Sequence, residues 1–176
     1  MTSPWSFTSL ATPLGDLTIV CSALGVVATA FDDEESDRLP NLTQRSIAAR
    51  PADGREIVTA RSTARRARRE AAGYLAGRTR RLSVPPDLSL VPAGFRRRVL
   101  EVVATIPFGE LWTYGDVAGL AGSPRASRAA GSALAGCPIE LFVPCHRVVH
   151  AGGTIGGYGR HEDRKRWLLR HEGALP

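Results

Sequence analysis

Long apolar runs are missing from this chain: none approaches the ~20 residues that an α-helix needs to cross a bilayer. No membrane association is therefore expected. Cysteine is scarce as well. Cys21, Cys137 and Cys145 are an odd number without metal-ligand spacing, and only 4 histidines accompany them. A disulfide framework and a structural zinc site are both disfavoured, and a reducing, cytoplasmic setting is the expectation. The N-terminus, Met1-Thr2-Ser3-Pro4-Trp5, lacks the basic-then-apolar order of a secretory leader. Lysine is almost absent too. Of 23 basic residues only Lys165 is a lysine; the others are arginines, and the net charge is +6. A basic chain of this kind has nucleic acid as its leading macromolecular partner.

What is present is enough for one compact domain, or two small ones, in 176 residues. Trp5 and Phe7 alternate with polar residues, Thr12-Pro13-Leu14-Gly15-Asp16 reads as a turn, and Leu17, Ile19 and Cys21 alternate again. After Ser22-Ala23-Leu24-Gly25, residues 26 to 31 form a third expected strand. Residues 32 to 51 are polar and aperiodic, an exposed connection. A helix is expected over 59 to 75, with Ala60, Ala64, Ala67, Ala71, Tyr74 and Leu75 on one stripe and Arg61, Arg65, Arg66, Arg68 and Arg69 opposite. Pro85-Pro86 opens a linker over 85–92, which separates an N-terminal domain, 1–84, from a C-terminal one, 93–176.

Beyond the linker, Phe95, Val99, Val102 and Ile106 mark a second helix, closed by Pro107-Phe108-Gly109. Two short helices follow, over 116–120 and 124–135, with Ser123 and Pro124 at the second N-cap and first helical position. A short helix, a turn at Gly122 and a second helix is the layout of a helix-turn-helix. The second helix should bury Ala126, Ala129, Ala130 and Ala133, with Leu134 near its end. Arg125, Ser127, Arg128 and Ser132 should face outward, where an arginine can enter a groove.

Val143-Pro144-Cys145-His146-Arg147-Val148-Val149 is the most specific stretch. A thiolate is a strong nucleophile, but a free cysteine is mostly protonated near neutral pH. His146 can accept the proton directly or through water, Arg147 raises the local positive potential, and Pro144 stiffens the approach. Adjacent residues of an extended segment point apart, so a direct Cys145–His146 contact requires a turn. A third group should orient the histidine, and Glu172 in the last helical turn is the candidate. An isolated Cys-His pair reads equally as a structural core cysteine beside an unrelated histidine.

The surroundings decide between these readings. Pro144-Cys145-His146-Arg147-Val148 resembles the active-site signature of the O6-alkylguanine-DNA alkyltransferases (methylated-DNA–protein-cysteine methyltransferases). Thr12-Pro13-Leu14-Gly15-Asp16-Leu17 is similar to that family's first hairpin. Phe95-Arg96-Arg97-Arg98-Val99 and Ile106-Pro107-Phe108-Gly109 resemble the opening of its C-terminal domain. Thr113-Tyr114-Gly115-Asp116-Val117-Ala118 and Ser127-Arg128-Ala129-Ala130-Gly131 resemble its helix-turn-helix. Gly156-Gly157-Tyr158-Gly159 and the run from Lys165 to Gly173 match the segments beyond the cysteine.

This resemblance implies an α+β fold: a small antiparallel sheet with a helix (ribonuclease-H-like), then a helical domain carrying the helix-turn-helix and the cysteine segment. It implies a monomer that binds double-stranded DNA carrying O6-alkylguanine, flips the damaged nucleotide, and moves the alkyl group irreversibly onto Cys145. No cofactor and no metal are implied. His146 and Glu172 would activate Cys145, and Tyr114 would assist rotation and hydrogen-bond N3 of the base. Arg128 would fill the vacated space, with Arg125, Ser127 and Ser132 on the DNA. Val148, Tyr158, Gly159 and Leu134 would form the base pocket.

Four positions, at three places in the chain, depart from the family pattern. Cys137 precedes Pro138 where asparagine is usual, Glu140 stands on a stretch expected in the pocket wall, and Arg160-His161 replace small residues. A non-catalytic lesion binder and a family member acting on a small molecule are the alternatives; the presence of Cys145 argues against the first.

Overall fold

The computed structural model describes residues 5–31, 53–158 and 161–176. The connection expected over 32–51 lies outside them. The fold is α+β, and contacts divide the chain into two compact units. One is Met1–Leu90 together with Pro138–Phe142; the other is Val91–Cys137 with Val143–Pro176. The short segment 138–142, grouped by sequence with the C-terminal half, thus belongs with the N-terminal unit. Among the described residues no helix is long and apolar enough to cross a membrane.

The first unit is built on an antiparallel meander of β1 (Ser6–Thr12), β2 (Gly15–Cys21) and β3 (Val26–Phe31). Thr12 pairs with Gly15 across a two-residue loop, where Gly15 has φ 103° and the Thr12 hydroxyl donates to its carbonyl at 2.6 Å. Only glycine takes that conformation without strain. Leu17, Ile19 and Cys21 are fully buried as expected, Val20 between the last two is buried as well, and Phe7 on the edge strand is 52% exposed.

Helix α1 (Gly54–Leu75) begins five residues earlier than its apolar stripe suggests. The cause is a capping box: the Asp53 carboxylate accepts from the Glu56 N–H at 2.8 Å, and the Glu56 side chain accepts from the Asp53 N–H. Its alanine stripe is buried as expected, and small side chains let the helix lie close on the sheet. Arg68 donates to the Ser9 carbonyl at 2.8 Å, which covers part of the β1 edge.

The first residues of the expected linker are tied down. Val26 N–H donates to the Pro85 carbonyl at 2.9 Å and Asp87 N–H to the Val26 carbonyl at 2.7 Å. Gly25 is required beside them, since a Cβ there would lie 2.1 Å from the Pro85 oxygen. Segment 138–142 is held on β3 in the same unit: Thr29 N–H donates to the Pro138 carbonyl, and its hydroxyl to that of Glu140. Leu141 then adopts φ 72° in a one-residue turn closed by Phe142 N–H on the Glu140 carbonyl. That tight turn is strained for a side-chain-bearing residue.

In the second unit, α2 (Phe95–Val103) packs on α3 (Tyr114–Leu120) and α4 (Ser127–Ala135), and α5 (Glu162–His171) closes the chain. Helix α3 starts at Tyr114 rather than 116, because Thr113 caps it in a box with Asp116. Helix α4 starts at Ser127, not 124. Ser123 and Pro124 instead lie in a preceding turn, with Ala126 N–H on the Ser123 carbonyl at 2.9 Å, and no side chain caps the helix. Ala130, Ala133 and Leu134 are buried as expected, whereas Ala129 is exposed and Ala126, the N-cap, is only partly buried. Helix α2 ends at Val103, short of Ile106, which is nonetheless buried.

Candidate active site

Two very short strands bring distant segments together. Trp112–Thr113 (β4) pairs in parallel with Val148–Val149 (β5), Trp112 opposite Val148 and Thr113 opposite Val149. Tyr114 follows the first strand directly, and Cys145 lies three residues before the second. In a parallel ladder these two residues leave opposite ends of the pair, and both nevertheless line one cavity.

The chain reaches Cys145 through consecutive tight turns. Pro144, at φ −79° and ψ 61°, is central to an inverse γ-turn closed by Cys145 N–H on the Val143 carbonyl at 2.8 Å. A single 3-10 turn, Cys145–Arg147, follows. This supplies the turn that the adjacent Cys-His pair required, and proline's fixed φ suits it.

His146 is fully buried. Its Nε2 lies 2.8 Å from Glu172 Oε1, at the C-cap of α5, one residue past the last helical turn. Burial opposes the charge of Glu172. Hydrogen bonds from His146 and Arg147, and the positive charge of Arg147, nevertheless hold its carboxyl far below the usual carboxylate range. An ionised carboxylate can only accept, so Nε2 carries the proton. Burial holds His146 below the usual imidazole range; Glu172 pulls the other way, and the charges of Arg147 and Lys165 add to burial. The ring is then neutral with its lone pair on Nδ1. That atom is buried without a hydrogen-bond partner among the described residues. It is the nitrogen able to receive a proton.

Arg147, read from sequence as a source of positive potential, is a structural clamp. It is buried, donates to both Glu172 oxygens (Nε to Oε2 at 2.9 Å, Nη2 to Oε1 at 2.8 Å), and caps the Ile106 carbonyl. Gly109 N–H adds a further bond to Glu172 at 3.0 Å. Lys165 was not singled out by the sequence reading beyond its place in a family motif. It is fully buried, with Nζ 2.6 Å from the Val148 carbonyl. Burial brings its ammonium down to about 8, against the opposing pull of negative charge on Cys145 and Glu162.

A cavity of about 700 Å³ opens onto the thiol. Of the residues expected around it, Tyr114, Ser127, Arg128, Ser132, Leu134, Cys145 and Tyr158 line it. Arg125 and Val148 do not. Val148 is fully buried, its N–H bonded to the Cys145 carbonyl and its own carbonyl to Lys165. Gly159 lies outside the described residues, and Gly157 is the loop glycine in the lining. Glu140 is also absent from the lining, because its segment is held on β3 in the other unit. The sequence reading missed His150, which lines the cavity with its ring centroid 5.1 Å from that of Tyr114. Next to Cys137, Arg96 donates to the Gly136 carbonyl, which joins α2 to the end of α4.

Residues 94–174 match the family model of the 6-O-methylguanine DNA methyltransferase, DNA binding domain. The chain is 38% identical over 168 residues to the methylated-DNA–protein-cysteine methyltransferase of Salmonella typhimurium, covering 94% of each. Among solved structures it is similar to the Mycobacterium tuberculosis O6-methylguanine methyltransferase, at 30% identity and TM-score 0.75, covering 98% of this chain and 95% of that one. It is similar also to Mycobacterium tuberculosis OGT in complex with DNA, at 29% identity and TM-score 0.74, with 97% and 94% covered. On identity sustained across nearly the whole chain, this protein belongs to the methylated-DNA–protein-cysteine methyltransferase family.

Proposed function

We propose that this protein reverses alkylation damage in DNA directly, by transferring an alkyl group, chiefly methyl, from O6 of guanine to its own Cys145. The observation that carries the reading is the buried His146 ring, fixed through Nε2 by Glu172 and left with a proton-accepting Nδ1, in the residue that follows a thiol lining a cavity. His146 draws the proton from Cys145 through a bridging water, and Glu172 stabilises the imidazolium that results. The thiolate attacks the alkyl carbon in line. An S–C bond forms, the C–O6 bond breaks, and its electron pair leaves with guanine, which takes a proton at N3 from the Tyr114 phenol. The thioether has no acidic proton and no good leaving group, so each molecule reacts once.

An O6-alkyl carbon inside a stacked duplex is out of a buried thiol's reach, so the nucleotide must be extruded. Ser127, Arg128 and Ser132 line the cavity from α4, the second helix of the helix-turn-helix. Arg128 enters the space left in the stack and offsets lost stacking, while Arg125 and Ser127 contact the backbone. Tyr158, Leu134 and the backbone near Val148 and Gly159 hold the base. A nucleophile that must stay a free thiol suits a reducing compartment such as the cytoplasm.

Incubation with an oligonucleotide bearing O6-methylguanine, followed by intact-mass measurement, tests this. The protein should gain one methyl, and Cys145→Ala should abolish the gain. Tight binding without a mass change would instead identify a lesion binder, and neither result would point to a small-molecule substrate.

A further inference from the structure

His150 stands out among the cavity-lining groups because the alkyl-transfer scheme leaves it without a task. Its position is fixed. The loop after β5 closes on itself, His150 N–H donating to the Thr154 carbonyl at 2.9 Å and Gly153 N–H to the His150 carbonyl at 3.0 Å. Its ring then lies against Tyr114 at an interplanar angle of 52°. Gly156 passes so close that a Cβ on it would lie 3.0 Å from His150 Nε2, His150 Cδ2 and Tyr114 Oη alike. The imidazole nitrogen and the phenol oxygen thus both face the same point of the loop.

The chemistry at Tyr114 creates a need for such a neighbour. Burial first, then the negative charge of Cys145, hold its phenol above the usual range, so a phenolate left there is unfavourable. The other ionisable groups in the lining are Arg128, on α4, Cys145, in the 3-10 turn, and Tyr158, in the loop before α5. Lys165 is committed to the Val148 carbonyl. Arg128 belongs to the DNA stack in the flipped complex. His150 is the remaining cation source in contact with the phenol.

We propose that His150 is a positioning residue for Tyr114, packing the phenol toward the leaving base and, as imidazolium, replacing the proton it gives up. The proposal rests on Tyr114 being the proton donor in the reading above. Guanine takes the phenol proton at N3 as the C–O6 bond breaks. The phenolate oxygen then takes the proton from His150 Nε2, directly or through one water, which leaves a neutral phenol and a neutral imidazole. No further reactant enters.

The test is the rate of Cys145 alkylation by free O6-benzylguanine between about pH 5 and 8, for wild type, His150→Phe and His150→Gln. The ratio of wild-type to variant rate cancels the ionisation of the Cys145–His146 pair, which all three share. That ratio should be roughly tenfold at the acid end and fall toward unity at the alkaline end, for both variants. Phenylalanine keeps the ring contact, so a His150→Phe protein as fast as wild type would overturn the proton role. A ratio independent of pH would overturn it too. In a Tyr114→Phe background His150→Gln should have no additional effect; a persisting effect would show that His150 does not act through the phenol. Failure of wild-type Cys145 to gain any alkyl group would remove the function itself, whereas an alkylated wild type with a silent His150 removes only this inference.

Discussion

Glu172 Oε1 lies 2.8 Å from His146 Nε2, and neither side chain is exposed to solvent. The same carboxylate carries both bonds from Arg147 and one from the Gly109 backbone. Orientation of the base and closure of the unit are therefore properties of one residue. Glu172→Gln should separate them only partly. An amide has one acceptor oxygen for four donor groups and no charge to balance buried Arg147. Breaking a buried pair from one side costs about 3–5 kcal/mol. Denaturant unfolding should show a loss of that order together with slower alkyl transfer. His146→Gln leaves the Arg147–Glu172 pair intact, so it should lower the rate by about 10²–10⁴ with the smaller stability loss. Equal destabilisation by both variants would contradict this division.

The same cluster sets how stability depends on pH. Folded His146 titrates below its ordinary 6.5, so the unfolded chain takes up a proton there that the folded chain refuses. Stability is fully present above 6.5 and declines as pH falls through and below it. Glu172, also depressed in the folded state, adds a second decline as pH drops below 4.5. Lys165 acts in the alkaline window: between about 8 and 10.5 the unfolded chain holds a proton that the folded one sheds. Stability should therefore rise across that window. Melting temperature against pH measures all three, and a curve flat between 6.5 and 4.5 would refute the assignment of the buried pair.

Arg128 lines the cavity at the second residue of α4, where an extruded nucleotide would pass. Arg128→Ala should slow repair of O6-methylguanine in duplex DNA by tenfold or more, because unstacking a base step costs a few kcal/mol and about 1.4 kcal/mol is a factor of ten. Reaction with free O6-benzylguanine requires no flipping and should change by less than about twofold. Equal losses on both substrates would show that Arg128 shapes the pocket rather than the stack. Duplex affinity of the wild type should also fall steeply with salt, by a log–log slope of about −0.9 per phosphate contacted.

Particular residues show why some of this was legible in the sequence and some was not. The hairpin at Pro13-Leu14 and the alanine stripe of α1 are local patterns, and both appear where periodicity puts them. His146 and Glu172 are joined by a hydrogen bond, and Cys145 opens the 3-10 turn that carries His146. The start of α1 was missed because apolar periodicity does not register the Asp53–Glu56 box. Ser123 misled for the opposite reason, since a cap-compatible residue before proline also suits a turn. Strands of two residues, such as β4 and β5, have no period to detect. The partners of Arg147, Lys165 and Thr29 are carbonyls or carboxylates 17 to 111 positions away. No local pattern records them, and the same holds for the His150–Tyr114 contact.

Arg61, Arg65 and Arg69 follow one another at four-residue intervals on the exposed face of α1, without a hydrogen bond or ion pair among the described residues. Like charges at this spacing repel by about 0.2–0.5 kcal/mol per pair. Arg66 escapes because Glu70 lies 2.9 Å away. Arg65→Glu converts two repulsive pairs into attractive ones, and the new carboxylate stands N-terminal to Arg69, the better orientation. It should stabilise the protein by about 1 kcal/mol at low salt, and the gain should shrink as screening shortens to about 3 Å near 1 M. Urea unfolding at two salt concentrations measures it. If this face is only solvated, duplex affinity should fall no further than one charge reversal at a position away from DNA requires. A loss as large as that from Arg128→Ala would place α1 on the phosphate backbone instead.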